Sequence, residues 1–337
     1  MLAAGAEVGK YLIKGFLGNG HFGHVYHVLD RALSVERALK VLKISDPTKL
    51  VELLEAQIQY KCRHANCVTV NGADIHILNN EPHVCIDMEL ISGGSLESLI
   101  SKEFLSVKNS CRIINEVSYG IEHAHNQGVL HKDIKPGNIM LSDNTGKVSD
   151  FGISQYVGVG GVGSGFAYTT HQPPEFFTSG VITAQSDVFS LGITLYRCAN
   201  NIEDWRSAVS TCSNPEVLLA KGKLLQSMGW QPWVPAKLQK IVSKACFAEP
   251  ARRFKSIKDF RQALDKLHWN LDWVRIDQYS WQASGSAVHL ARLTGKDWNT
   301  FEYLVNNRRR IAECQTFGTA EDAQRHLWNF VASSTLA

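Results

Sequence analysis

Two short polar runs constrain this chain more than any other feature. The first is His131-Lys132-Asp133-Ile134-Lys135-Pro136-Gly137-Asn138, and Asp150-Phe151-Gly152 begins twelve residues after Asn138. Asp, Asn and Gly are common in loops for backbone reasons, so one such residue carries no meaning. Two runs at this spacing point to a scaffold that brings them together. The chain has 337 residues, room for one large or two unequal domains. Apolar residues make up 44% and charged residues 20%, which excludes a disordered chain, a collagen-like repeat and a coiled coil. No apolar run reaches the ~18 residues of a membrane span. Val188–Ala199, one of the most apolar segments, still carries Ser190, Thr194 and Arg197.

The net charge is +3, from 35 Lys and Arg against 32 Asp and Glu. It gives no reason to expect nucleic-acid or membrane affinity. Met1–Gly9 lacks a basic stretch followed by an apolar one, so no secretory leader is expected. The eight cysteines are scattered and form no C-x-x-C pair. Free thiols in a reducing cytoplasm are the expectation, rather than a disulfide frame or a zinc site.

Periodicity divides the chain. Tyr11–Gly18, His24–Asp30, Arg37–Lys43, Val68–Ile77 and His83–Leu90 read as strands. One helix interrupts them, starting near Pro47 and carrying Leu53, Leu54, Ile58 and Cys62 at helical spacing. After Gly93-Gly94 helices dominate. Lys108–Asn126 sets Ile113, Ile114, Val117 and Ile121 on one face, with Gly128 placed to end it. Further helices are expected at Ser186–Cys198, Pro215–Gly222, Pro235–Cys246 and Ser256–Trp269. Residues 269–337 hold five of the eight tryptophans and change the pattern again. Alternating runs appear at Gln278–Ala283, Ala287–Leu293, Thr300–Val305 and Ile311–Thr316. A helix opened by Thr319 and Asp322, placed as a capping box, follows them. The expected units are 1–90, rich in strands, 91–268, rich in helices, and a small β-then-α unit at 269–337.

Gly18-Asn-Gly20-His-Phe22-Gly23-His-Val25 matches G-x-G-x-x-G-x-V. Glycines let backbone amides approach phosphate oxygens with no side chain between. A dinucleotide loop would open a helix, whereas His24–Leu29 reads as a strand. Val25 on that strand suits the face of an adenine ring. Ala38-Leu39-Lys40 follows on the next strand, where a hairpin can bring the lysine under the loop. Such a lysine needs a partner on the next helix. Glu55 is the first choice and Glu52, one turn earlier, the second. The polar runs then suit phosphoryl transfer, where positioning and charge neutralisation supply most of the catalysis. Asp133 would orient the proton of an attacking hydroxyl. Asn138 and Asp150 offer hard oxygen ligands for Mg²⁺. Lys135 would neutralise the γ-phosphate of ATP.

Together these residues resemble a eukaryotic-type (Hanks-type) protein kinase over about residues 11–268. The resemblance implies an α+β, two-lobed protein-kinase fold with ATP in the cleft. It implies Met88 as gatekeeper and a hinge at Glu89–Ile91, where the backbone of Glu89 and Ile91 binds adenine. Gln172-Pro173-Pro174-Glu175 stands where the family has A-P-E, and Ser186-Asp187-Val188-Phe189-Ser190 resembles a buried helix of the family. Arg253 would pair with Glu175 in a structural role. Lys135, two residues past Asp133, is similar to the serine/threonine pattern, so a protein Ser/Thr substrate is expected. Two rivals remain: a pseudokinase scaffold, and a small-molecule kinase of related fold such as an aminoglycoside phosphotransferase.

The chain also departs from the family. Lys132 replaces the arginine of H-R-D, which implies little dependence on a phosphorylated activation loop. Five glycines between Gly158 and Gly165 give that segment little intrinsic structure. Tyr168 stands where the family has a threonine near the substrate, with Thr169 and Thr170 beside it. His21 and His24 are expected to face solvent. In the tail, seven basic residues balance seven acidic ones, so Arg308–Arg310 reads as a hairpin turn rather than a nucleic-acid patch. Trp273, Trp281, Trp298 and Trp328 read as core, and a protein partner or the kinase lobe itself as the tail's contact.

Overall fold

The computed structural model describes residues 1–19, 23–45, 51–143, 145–151, 155–156 and 171–337. Gly20, His21, Phe22, Pro47, Gly152, the glycine-rich run and Tyr168–Thr170 lie outside the described residues.

The N-terminal part is one antiparallel sheet. Its strands are β1 (Glu7–Val8), β2 (Tyr11–Asn19), β3 (Gly23–Asp30) and β4 (Val35–Lys43), then β5 (Val70–Leu78) and β6 (Glu81–Glu89) after helix α1 (Val51–Lys61). The spatial order is β1-β2-β3-β4-β6-β5. Alternation in β4 serves both faces at once. Leu39 and Val41 join Tyr11, Ile13, Tyr26 and Val28 on the outer face. Ala38 and Leu42 join Ala56, Val70, Ile86 and Met88 on the inner one. Lys40 shares that inner face, opposite Val25 on one side and Ile86 on the other.

The second part is mostly helical. In chain order it holds α2 (Leu96–Ile100), α3 (Val107–Asn126), β7 (Val129–Leu130), β8 (Ile139–Ser142), β9 (Thr145–Val148) and β10 (Gln155–Tyr156). Helices α4 (Pro174–Thr178), α5 (Ala184–Ala199), α6 (Trp205–Ser210), α7 (Pro215–Ala220), α8 (Leu224–Met228), α9 (Ala236–Ala245) and α10 (Ile257–Asp265) follow. Helix α5 is buried from Ser186 to Ala199 and forms the axis of this lobe. Glu175 and Arg253 lock its start. Two guanidinium–carboxylate bonds of 2.7 Å join them, and Ser186 Oγ donates to the same carboxylate at 2.7 Å. The three remaining guanidinium hydrogens go to the carbonyls of Gln185, Phe247 and Ala248. Every donor of this buried arginine is therefore satisfied. No described helix is long and apolar enough to cross a membrane.

The tail is a sheet of β11 (Trp273–Asp277), β12 (Ser280–Ser284), β13 (Val288–Thr294), β14 (Thr300–Val305), β15 (Arg308–Arg309) and β16 (Gln315–Thr316), closed by helix α11 (Ala320–Thr335). Thr319 Oγ1 caps α11 through the Asp322 amide, as the capping signal predicts. Three expectations need correction. Strand β11 lies outside the expected runs: Val274-Arg275-Ile276-Asp277 alternates, but the run is short and four of the strand's five residues are exposed at the sheet edge. Ile311–Thr316 is not one strand: Ile311–Glu313 is a 3₁₀ turn, and only Gln315–Thr316 pairs. Trp298 is not core. It is 43% exposed, with a left-handed backbone (φ 55°), and lies flat on Tyr279 at 4.2 Å. Arg308 and Arg309 pair with β14, and the turn before them is made by Asn306 and Asn307 in the left-handed region.

The tail packs on the helical lobe and shares its hydrophobic core. Trp281, 1% exposed, sits between Phe104 (5.1 Å) and Trp233 (5.3 Å). The chain end closes the junction: the Ala337 amide donates to the His268 carbonyl, and Lys237 reaches the Ala337 carbonyl at 2.8 Å.

Candidate active site

The site lies between the two lobes and is assembled by four short pieces of backbone. Strand β4 delivers Lys40 and helix α1 delivers Glu55. Their ammonium–carboxylate separation is 2.5 Å, and both are buried. Glu52 faces elsewhere and accepts from the Ser45 amide and hydroxyl. The second carboxylate at Lys40 is Asp150, 2.9 Å away and 110 residues along the chain. Asp150 holds a left-handed backbone (φ 64°), as does Lys132 (φ 70°). Such angles are costly for residues with a Cβ and recur where a side chain must be aimed. Phe151 anchors the turn. It is fully buried and packs on the His131 ring at 4.8 Å.

The loop after β7 carries the other polar run. Lys135 Nζ lies 2.7 Å from Asp133 Oδ2. The Asn138 amide nitrogen donates to the Asp133 carbonyl (2.8 Å) and to Oδ2 (2.9 Å), which leaves its oxygen as an acceptor. One buried carboxylate sets this loop. Asp187 of α5 accepts from the amides of His131 and Lys132, both at 2.8 Å, and from His125 at 2.7 Å. The sequence reading noted Asp187 only as part of a buried helix. An aspartate inside an otherwise apolar helix was the available signal, since a buried carboxylate must be hydrogen-bonded. Two more contacts escaped it. Glu89 at the lobe junction holds Lys147 at 2.7 and 2.8 Å and accepts from the Thr69 amide at 2.7 Å. Gly120 of α3 lets the 62–67 loop pack down, for a Cβ there would meet the Asn66 carbonyl at 2.5 Å.

Charge in the cleft is unbalanced. Glu55, Asp133 and Asp150 face two ammoniums, Lys40 and Lys135. Burial alone would lower the pKa of Lys40, but Asp150 and Glu55 outweigh it and hold the ammonium above its ordinary value. Burial pushes Glu55 up, and Asp150 adds to that against the pull of Lys40. At Asp187 burial works upward, but the bond and charge of His125 hold the carboxyl below its usual range. Lys132 is lowered by burial.

His171, between the glycine-rich segment and α4, is 4% exposed and packs on Trp205 at 5.1 Å. Among the described residues, neither ring nitrogen has a hydrogen-bond partner. Burial, then the charges of Arg197 and Lys135, push its pKa down to about 3. The unfolded chain therefore binds a proton below pH ~6.5 that the folded chain refuses, and stability rises with pH between those values. At pH 5 this single group costs about 2 kcal/mol. Urea melts at pH 5 and pH 7 are expected to differ by about that much more in the wild type than in His171→Phe. Equal pH slopes would refute the assignment.

Of the residues expected from the sequence, the structure brings Lys40, Glu55 and Asp150 into one cluster and Asp133, Lys135 and Asn138 into another. Val25, Ala38 and Met88 line the inner sheet face, with Ile91 packed against the same cluster. Gly18 is the last residue but one of β2 and Gly23 opens β3, and Gly20 between them is outside the described residues.

The family model for the protein kinase domain matches residues 11–266. Serine/threonine-protein kinase PknJ of Mycobacterium tuberculosis is 28% identical over 278 residues, covering 78% of this chain and 46% of that protein. Serine/threonine-protein kinase PrkC of Bacillus subtilis is 29% identical over 336 residues, covering 96% of this chain and 50% of that protein. The chain thus spans half or less of the length of these relatives. The crystal structure of the M. tuberculosis PknI kinase domain superposes with a TM-score of 0.59 at 21% identity, over 79% of this chain and 98% of that one. That likeness concerns the fold.

Proposed function

This chain belongs to the protein kinase domain family, and from that membership we propose that it transfers the γ-phosphate of Mg·ATP to serine or threonine hydroxyls of a protein. The observation that carries the reading is the pairing of Lys40 with both Glu55 and Asp150 beside the Asp133–Asn138–Lys135 cluster. In this reading Lys40 binds the phosphates as a point charge, and Glu55 holds it in place. Asp133 orients the acceptor hydroxyl, and its bond from Asn138 fixes the carboxylate. Lys135 lies ready to meet charge on the transferred group. Val25, Ala38 and the backbone of Glu89 and Ile91 hold the adenine.

The donor set also suits a magnesium ion. The cleft holds one carboxylate more than it holds ammoniums, and Asn138 keeps a hard oxygen as acceptor. Asn138 and Asp150 would hold the ion, which when bound neutralises phosphate charge. A protein acceptor is favoured over a small molecule by the buried Glu175–Arg253 pair, which fixes the α4 segment next to the cleft.

The test offers γ-labelled ATP and Mg²⁺ to the protein with a generic acceptor protein, followed by phosphoamino-acid analysis. Label on serine and threonine is the expected result. ATP binding without transfer would favour a scaffold, and label confined to a small-molecule acceptor such as an aminoglycoside would favour the other rival.

A further inference from the structure

The loop that carries Asp133 and the segment that leads into α4 are both fastened to α5. Asp187 accepts from the amides of His131 and Lys132, and Ser190 Oγ donates to the His171 carbonyl at 2.9 Å. Asp187 and Ser190 are i and i+3 neighbours on one face of the helix. A third contact closes the triangle without α5. Gln172 Nε2 donates to the Lys132 carbonyl at 2.8 Å, across 40 residues of chain. Gln172 is 2% exposed, and residues 171–175 are buried throughout.

The acceptor end of this bond is a strained residue. Lys132 holds φ 70°, a conformation costly for a residue with a Cβ. Asp187 grips its amide and Gln172 its carbonyl, so the peptide units on both sides of Lys132 are fixed. Asp133 follows directly. The planar Lys132–Asp133 peptide sets the direction from which the Asp133 side chain starts, so the Gln172 bond acts on the aspartate through one peptide unit. Beyond Gln172, Pro173 and Pro174 restrict the backbone, and Arg253 locks Glu175. The segment therefore has little freedom to absorb a change at position 172.

We propose that Gln172 is a positioning residue for phosphoryl transfer: it holds the Asp133 loop in register with the segment before α4, along which a protein acceptor reaches Asp133. The assignment rests on the kinase reading above and says how its acceptor side is aligned. Two features separate this role from support of the fold. Asp187 and Ser190 still anchor both pieces when the Gln172 side chain is replaced. The nucleotide side is built by the other cluster, Lys40 with Glu55 and Asp150.

The experiment compares the wild type with Gln172→Leu and Gln172→Glu, which are similar in size and lack the amide donor. Each receives γ-labelled ATP and Mg²⁺, once with a mixture of casein and histones, reading labelled protein, and once without acceptor protein, reading free phosphate. Transfer to protein is expected to fall about tenfold in Gln172→Leu, and further in Gln172→Glu, whose carboxylate would face the Lys132 carbonyl. ATP hydrolysis and the Kd for ATP stay within about twofold, because water needs no alignment with the segment. Melting temperatures within about 4 °C of wild type establish that the variants fold. Equal losses of transfer and hydrolysis would reduce Gln172 to general support of the loop and overturn the proposal. Transfer at the wild-type rate in both variants would overturn it and leave the kinase reading intact. A wild type that labels no protein would overturn that reading, and this assignment with it.

Discussion

Asp133→Asn is expected to lower kcat by about two to four orders of magnitude while the KM for ATP stays within about threefold of wild type. The geometry gives the reason for the split. Asp133 touches neither Lys40 nor Glu55, and those two belong to the other cluster. An asparagine keeps the shape, so Lys135 can still donate to its oxygen and the backbone bond from Asn138 to the residue 133 carbonyl survives. The loop is also held from outside, because Asp187 grips the amides of His131 and Lys132 without using the Asp133 side chain. What the substitution removes is one formal charge and the acceptor that orients an incoming hydroxyl. Steady-state kinetics with saturating acceptor, beside nucleotide titration of both proteins, measures it. A variant with kcat within tenfold of wild type would remove Asp133 from the chemistry. A variant with normal kcat and a large rise in ATP KM would place it in nucleotide binding instead.

The two clusters were legible in the sequence because each is built from short-range signals that survive without a structure. The run from His131 to Asn138 fixes its own internal spacing, and Asp150 follows at a distance that one small hairpin, β8–β9, can span. The pairing of Lys40 with Glu55 was also readable, since a strand lysine that must be buried needs a carboxylate on the next helix. The choice between Glu55 and Glu52 turns on one helical step. Asp187 was harder to assign, because its role depends on a loop 55 residues earlier in the chain. The Glu89–Lys147 tie was invisible for the same reason, as two exposed-type residues 58 apart carry no local signature.

In the tail, sequence patterning failed where exposure overrode it. Val274-Arg275-Ile276-Asp277 of β11 does alternate, but over only four residues and exposed at the sheet edge, so the expected runs leave it out. The alternating run at Ile311–Thr316 misled for the opposite reason. Ile311 is 82% exposed, so its apolar character reports no core. Tryptophan content was a better guide in aggregate than one residue at a time: Trp273 and Trp281 are buried, whereas Trp298 is stacked on the surface. That distinction depends on strand register and on the left-handed turn at Trp298, which residue type does not reveal.

Deleting residues 269–337 is expected to cost the kinase lobe much of its stability, rather than release a freely folding domain. Trp281 fills the space between Phe104 and Trp233, so its removal uncovers both rings. Each large apolar side chain returned to water costs about 1.5–3 kcal/mol, so a few of them reach on the order of 5 kcal/mol. That is comparable with the whole stability of many domains. The polar closure at the chain end adds to it, because the His268 carbonyl and Lys237 both lose partners. The truncated protein should melt at least about 10 °C lower or fail to stay soluble. Trp281→Ala in the full chain should lose about 3–5 kcal/mol, since it opens a cavity with the sheet still in place. Calorimetry on both, with kinase activity measured well below the melting point, separates support from chemistry. A truncated protein that melts within about 2 °C of the full chain would show that the tail only rests on the lobe. Wild-type melting with lost activity would instead give the tail a direct part in catalysis.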